Sequence, residues 1–224
     1  MKKSSLQFDI ITVFPESFSY LKESMFYQAQ EKGLVEIKIW NVRDFTHDAH
    51  KTVDDRPYGG GPGMVLKFQP LYDALIAAKK DFKTTKRRVI LTDLGGELFS
   101  QKKAKIFSKE RQLIIICGHY EGVDERIKEF VDETISIGKY ALTGGELPAM
   151  IIADAVSRHI KGFLKNPESL EEIRGNEELV SIPAYTRPEE IKIKGKTLKV
   201  PEVLLGGNHK EIDVWRTKHQ KKVL

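Results

Sequence analysis

The chain has 224 residues, enough for one large domain or for one domain with a small appendage. Its 40% apolar and 31% charged residues are a globular composition, and no uncharged apolar run reaches the length of a membrane span. A single cysteine, Cys117, excludes an internal disulfide framework and any cysteine-cluster zinc site.

Asp9 interrupts the apolar stretch after the basic start Met1-Lys2-Lys3, and no small-residue cleavage site follows. The start therefore reads against a signal peptide and for a cytoplasmic protein. Thirty-seven basic and 32 acidic residues give a net charge of +5, unevenly spread. Residues 79–111 hold eleven Lys/Arg against four Asp/Glu, residues 186–224 hold ten against five, and 166–180 hold five Glu and one Arg. Two basic regions suit a polyanionic partner, although solvated lysine-rich helix faces give the same count.

In chain order, Phe8 to Phe14 predicts a buried strand stopped at Pro15. Glu16 to Lys32 predicts a helix ended by Gly33, and the alternation of Val35, Ile37 and Ile39 predicts a strand to Val42. Residues 43–63 form a loop too long and glycine-rich for a mere connection. Phe68 to Lys80 predicts a helix with Pro70 in its first turn. Strands and helices then alternate: strand 88–91, helix 100–112, strand 113–117, short helix 124–130, strand 134–137, helix 146–160. This rhythm predicts an α/β fold with a parallel sheet covered on both faces. Periodicity fails over 161–183, read as a linker, and 184–224 is an appendage too short to bury much core alone.

Three of these strands run into glycine-bearing loops: Thr92-Asp93-Leu94-Gly95-Gly96, Gly118 to Gly122, and Gly138 to Gly145. Ligands of open parallel sheets bind beyond the carboxyl ends of the strands, and glycine lets backbone approach them closely. The loops predict a nucleoside-sized pocket, unless they are ordinary tight turns. No G-x-x-x-x-G-K-[ST] motif is present. Gly59-Gly60-Gly61-Pro62-Gly63 does not follow a strand, and Pro62 has no N–H to offer a pyrophosphate. Just before it, Arg56 suits a phosphate and Asp54 suits guanine N–H groups, although an Asp–Arg pair that holds the loop fits equally. Asp154 and Arg158 lie four apart on one helix face, the spacing of a simple salt bridge. Cys117 reads as a packed thiol.

These motifs resemble a known family. Val53-Asp54-Asp55-Arg56-Pro57-Tyr58-Gly59-Gly60-Gly61-Pro62-Gly63-Met64 is similar to a signature of the bacterial tRNA (guanine-N1)-methyltransferases, the TrmD family. So are Cys117 to Arg126, Ser136 to Met150, Tyr185-Thr186-Arg187-Pro188 and Val203 to His209, in the same order from about residue 8 to Arg216. The resemblance implies an α/β SPOUT methyltransferase fold with a C-terminal trefoil knot (about 88–160 within a catalytic domain 1–160). It also implies a small, mainly helical, shortened C-terminal tRNA-binding domain at 184–224. The implied chemistry is S-adenosylmethionine-dependent methylation of N1 of the guanosine 3′ of the anticodon, by a homodimer. Carried over by position, Thr92, Gly118, Tyr120, Gly122, Ile137, Gly138, Lys139, Tyr140, Ala141, Leu142, Gly144 and Gly145 bind the cofactor. His50, Asp54, Arg56, Pro62 and Gly63 face the tRNA, Arg158 is catalytic, and Glu121 matches a carboxylate tied to a magnesium requirement.

Two departures from the family pattern stand out. Ile173 occupies the position of the family's catalytic aspartate, so the neighbouring Glu172, or Glu171, is the expected base. The first knot loop reads Leu91-Thr92-Asp93-Leu94-Gly95 in place of Leu-Ser-Pro-Gln-Gly. Activity on another RNA nucleoside, or tRNA binding without turnover, are the alternatives that Ile173 raises.

Overall fold

The structure is a computed structural model that describes residues 6–166 and 180–222. It divides into two compact units, 1–165 and 166–224. The boundary falls five residues past the end expected for the catalytic domain.

The first unit is built on a five-stranded, all-parallel sheet. Its strands are β1 (Leu6–Thr12), β2 (Val35–Asn41), β5 (Arg87–Leu98), β6 (Gln112–Cys117) and β7 (Glu133–Ser136), in the order β2-β1-β6-β5-β7. Two short strands, β3 (Asp54–Asp55) and β4 (Val65–Leu66), form a separate antiparallel ladder. The helices are α1 (Ser24–Glu31), α2 (Phe68–Asp81), α3 (Gln101–Phe107) and α4 (Glu146–Ser157).

Both faces of the sheet are covered, as the apolar strands require. Side chains alternate along a strand, so Phe8 and Ile10 join Leu113 and Ile115 in one core, packed by Phe107 and by Ala149, Ile152 and Val156 of α4. Ile11, Ile114 and Ile116 enter the other, under Leu71, Ala74, Leu75 and Ala78 of α2.

The expected helix over 16–32 is two pieces. Pro15–Lys22 is 3-10 and α1 begins at Ser24, with Glu23 extended and Ser24 at φ +50°. Leu21 and Phe26 are both buried. Five residues apart on one continuous helix they would diverge by about 140°, so the break lets both reach the same core. The helix expected over 100–112 ends at Phe107. Gln112 belongs to β6 instead, with its side chain buried.

Strand β5 is longer than expected and interrupted. Thr92 and Glu97 both pair with Ile135, so residues 93–96 loop out of the sheet and the chain returns to the same partner. Gly96 makes that return possible, because a Cβ there would lie 2.6 Å from the Thr134 and Ile135 backbone.

Buried Asp9 anchors the amino-terminal edge of the sheet. Its carboxylate accepts from Gln112 Nε2 (2.6 Å), Trp40 Nε1 (2.8 Å) and Gln7 Nε2 (2.9 Å). Burial outweighs these donors and raises its pKa. A raised folded pKa contributes stability that is present below the unfolded value and is lost as pH rises through the folded one. The advantage of the wild-type chain over Asp9→Asn should therefore shrink as pH rises above the ordinary aspartate range in urea unfolding. An advantage that grows with pH would mean that the hydrogen bonds win.

The described residues of the second unit are not mainly helical. An antiparallel hairpin, β9 (Glu190–Ile193) and β10 (Lys196–Lys199), turns at Lys194-Gly195, both at positive φ as a tight hairpin demands. One helix, α5 (His209–His219), starts at Asn208, whose side chain accepts the Lys210 N–H. β8 (Val180–Ser181) pairs with β11 (Lys221–Lys222). None of the unit's residues with described side chains is buried.

Candidate active site

Strands β6, β5 and β7 are adjacent, so their carboxyl-terminal loops stand side by side. Connections run from β5 to β6 on one flank and back past it to β7 on the other, which makes β5 a switch point, where open α/β sheets hold ligands. A cavity of about 380 Å³ opens there, within the size range of small-molecule sites. Every cofactor residue expected from the resemblance lines it except Lys139, which is exposed beside it. Asp93, Leu94 and His119 line it too, residues of the expected pocket loops to which no individual role was assigned. His119 was open to notice within the Gly118–Gly122 motif. Its ring lies 4.6 Å from Phe14 and its Nδ1 is 3.3 Å from Glu146, which also accepts from Thr12 Oγ1 at 2.8 Å.

The glycines serve a purpose that sequence alone did not show. A Cβ on Gly145 would lie 2.0 Å from Thr92 Oγ1 and 2.7 Å from Gly118 N. One on Gly118 would lie 2.9 Å from Thr92 O. Gly138 lies under the Tyr140 ring, and Gly144 against His119. They are glycines because the loops press on one another. The backbone N–H of Gly145 donates to Gly118 O at 2.6 Å, tying the second loop to the third.

The Asp54–Gly63 region is fastened to this cavity. β3 pairs with β4, and β4 is bridged to Tyr120 and Val123. Leu66 N–H donates to Gly122 O (3.0 Å) and Glu121 N–H to Met64 O (3.0 Å). Gly63, at φ +78°, packs on the Glu121 side chain. Arg56 and Gly63 line a second concavity of about 540 Å³. Asp55 accepts the Arg56 N–H at 2.8 Å and lies 4.0 Å from Lys67 Nζ. Among the described residues no ion pair joins Arg56 to Asp54, so an Asp–Arg pair is not what holds the loop. Asp54 and Pro62 line neither cavity. His50 sits in an exposed turn around Asp48, to which its N–H donates at 3.0 Å. Hydrogen bonds from Thr52 lower the Asp48 pKa.

Arg158 follows the last residue of α4 and is half-buried. Gly145, on the cavity wall, precedes the first. The 12-residue helix separates them by about 18 Å. Asp154 accepts from the Tyr20 hydroxyl at 3.3 Å. Glu172, Glu171 and Ile173 lie outside the described residues. Cys117 is buried in the core, which pushes its thiol well above the ordinary range and leaves it no nucleophilic role.

The cavity suits S-adenosylmethionine in its volume and in its wall of close-packed backbone loops. Among the described residues no three carboxylates, imidazoles or thiols gather, and Glu121 stands outside any such cluster. Nor, among them, is any helix long and apolar enough to cross a membrane.

Sheet, switch point and loop-walled cavity define a ligand-binding α/β protein. Residues 6–223 match the family model described as tRNA (Guanine-1)-methyltransferase TrmD. A tRNA (guanine-N(1)-)-methyltransferase of Dictyoglomus turgidum is 49% identical over 97% of this chain and 86% of its own length. That of Clostridioides difficile is 48% identical over 94% and 90%. The crystal structure of the tRNA (m1G37) methyltransferase from Aquifex aeolicus superposes with a TM-score of 0.78 at 41% identity, over 96% of this chain and 88% of that one. The chain belongs to the TrmD family of tRNA (guanine-N1)-methyltransferases.

Proposed function

We propose that the chain transfers a methyl group from S-adenosylmethionine to N1 of the tRNA guanosine immediately 3′ of the anticodon, in the cytoplasm and as a homodimer. The observation that carries this reading is the joining of two motif loops at one place, the cavity at β6-β5-β7 and the Asp54–Gly63 region bridged to its rim.

When bound, S-adenosylmethionine supplies an activated methyl group on a sulfonium, so no covalent nucleophile is needed. The chain has three tasks. It holds donor and acceptor in line, the role of the glycine loops with Tyr120, Tyr140 and Leu142. It takes the proton that guanine N1 carries at neutral pH, the role of Glu172 in the absence of an aspartate at 173. It stabilises the charge that then collects on O6, the role of Arg158. Asp54 accepts from guanine N–H groups, Arg56 meets phosphate, and His50, Pro62 and Gly63 shape the tRNA face. No step is assigned to magnesium.

What supports the homodimer is the length of α4 between Arg158 and Gly145 of its own cavity, a gap that a second copy would bridge. Exposed Leu147 and Ile151, one turn apart on α4, offer it an apolar face. The excursion at 93–96, returning to the same partner residue, is where a trefoil knot would admit the later chain. The basic second unit, with the hairpin and α5, would grip the tRNA backbone.

The test is methyl transfer from labelled S-adenosylmethionine to tRNA transcripts, with the product nucleoside mapped. Label on the guanosine 3′ of the anticodon is expected, together with a loss of about 10²–10⁴-fold in Glu172→Gln and little change in Glu171→Gln. Label on another nucleoside would overturn the assignment of substrate. Binding of tRNA without transfer would overturn that of turnover.

A further inference from the structure

Tyr58 is fully exposed, at 104% of its reference area, and among the described residues it makes no hydrogen bond or ring contact. The fold does not need it. Burying such a ring contributes substantially to a core or an interface, so an aromatic held in water is a surface in waiting. Its surroundings keep it there. Pro57 fixes the backbone before it, while Gly59, Gly60 and Gly61, at φ +83°, +81° and +124°, have nothing within 4 Å of where a Cβ would stand. The base of the loop is fixed by the β3–β4 ladder and by Gly63 on Glu121. A rigid base thus carries a projecting ring on an open tip.

Cations flank it. Arg56 lines the adjoining concavity. The Arg126 guanidinium is held by Asp124 at 2.8 and 2.6 Å and lies 5.7 Å over the Phe68 ring; Asp124 first, and Tyr58 more weakly, raise its pKa. Of the other exposed aromatics, Tyr20 donates to Asp154 at 3.3 Å, Tyr120 meets the His119 ring at 4.8 Å and Tyr140 covers Gly138; Tyr27, on α1, also lacks a ring contact but stands away from the Asp54–Gly63 motif. A projecting aromatic face on a loop that also carries Arg56, with Arg126 in its electrostatic surroundings, is the chemistry that receives an unstacked nucleobase and its phosphates.

We propose that Tyr58 is a base-stacking platform: a nucleobase flanking the target guanosine lies on its ring, while Arg56 and Arg126 hold the adjacent phosphates. This rests on the tRNA-methyltransferase reading and adds a positioning residue to it.

The experiment uses the full chain with Tyr58→Phe, Tyr58→Leu and Tyr58→Ala, a tRNA transcript carrying the target guanosine, and S-adenosylmethionine binding as a second readout. The phenylalanine variant should stay within about twofold of wild type in tRNA affinity and KM. The leucine and alanine variants should both lose about 5- to 150-fold, the worth of one stacked base. Cofactor affinity should hold throughout. Arg56→Ala and Arg126→Ala should each lower the salt dependence of tRNA binding by about one charge, and Tyr58→Ala should leave it unchanged. Equal tRNA affinity in all variants, rescue by leucine as well as phenylalanine, or a parallel loss of cofactor binding would each overturn the platform. If the unaltered chain neither binds nor methylates tRNA, the methyltransferase reading itself has failed, and the platform fails with it.

Discussion

Alanine at Gly145 is expected to reduce S-adenosylmethionine affinity about tenfold or more. It should also lower the thermal midpoint by about 2–12 °C. The backbone of Gly145 is helical, at φ −83°, so alanine suits it conformationally, and at an open site the change would stabilise the fold slightly. Space decides the opposite sign here. The new methyl would lie 2.7 Å from Gly118 N and 2.9 Å from Cys117 Cα, backbone atoms of the strand end that cannot rotate away. Thr92 Oγ1, 2.0 Å off, would have to leave its contact with Ile116 O at 3.2 Å. Overpacking of this kind costs about 1–3 kcal/mol, and relief comes by parting the two loops that form the cavity wall. Gly95→Ala is the control. It sits on the first loop and would meet only Asp93 Oδ1 at 3.5 Å, an ordinary contact. Calorimetric melting and titration of cofactor on both variants check this. Equal behaviour would mean that the loops yield and that the glycines serve backbone mobility.

The sheet was legible because strands buried on both faces must be apolar throughout: Leu113-Ile114-Ile115-Ile116-Cys117 has no other comfortable place. The position of the three glycine loops followed, since strand ends set where loops go. What sequence could not show is non-local. The looping-out at 93–96 exists because Thr92 and Glu97 share Ile135, and no window around residue 92 contains that partner. The attachment of Asp54–Gly63 to the cavity depends on bridges from Val65 to Tyr120 and from Leu66 to Val123. The break at Glu23 was visible in retrospect, because Leu21 and Phe26 are out of phase for one helix. The hairpin at 190–199 had a signal that went unread, the alternation of Ile191 and Ile193 with Lys192 and Lys194 before a glycine. Reading those lysines as helix-face charge hid it. As for the site, the residue set around the cavity came through the motifs. The reason for its glycines required coordinates, because Gly118 and Gly145 are neighbours only in the fold.

Arg158→Ala is expected to lower methyl transfer by about 10²–10³-fold with cofactor affinity unchanged, the loss typical of removing one group that stabilises developing charge. Arg158 stands about 15 Å along α4 from Pro148, the last residue of that helix to line its own chain's cavity. If it acts on the bound guanine, it acts across a dimer, and that makes a sharper test. Arg158→Ala keeps a sound cavity, and Gly145→Ala keeps a sound arginine. In a two-fold dimer of one of each, one of the two composite sites receives both intact parts. Equal co-expression makes about half of the dimers mixed, so at an S-adenosylmethionine concentration too low to fill the Gly145→Ala cavity about one quarter of wild-type activity should return from two variants that are each nearly inactive there. Activity no greater than the sum of the separate variants would place Arg158 with the cavity of its own chain, or outside the reaction altogether. A drop in cofactor affinity in Arg158→Ala by itself would make the residue part of the cofactor's binding.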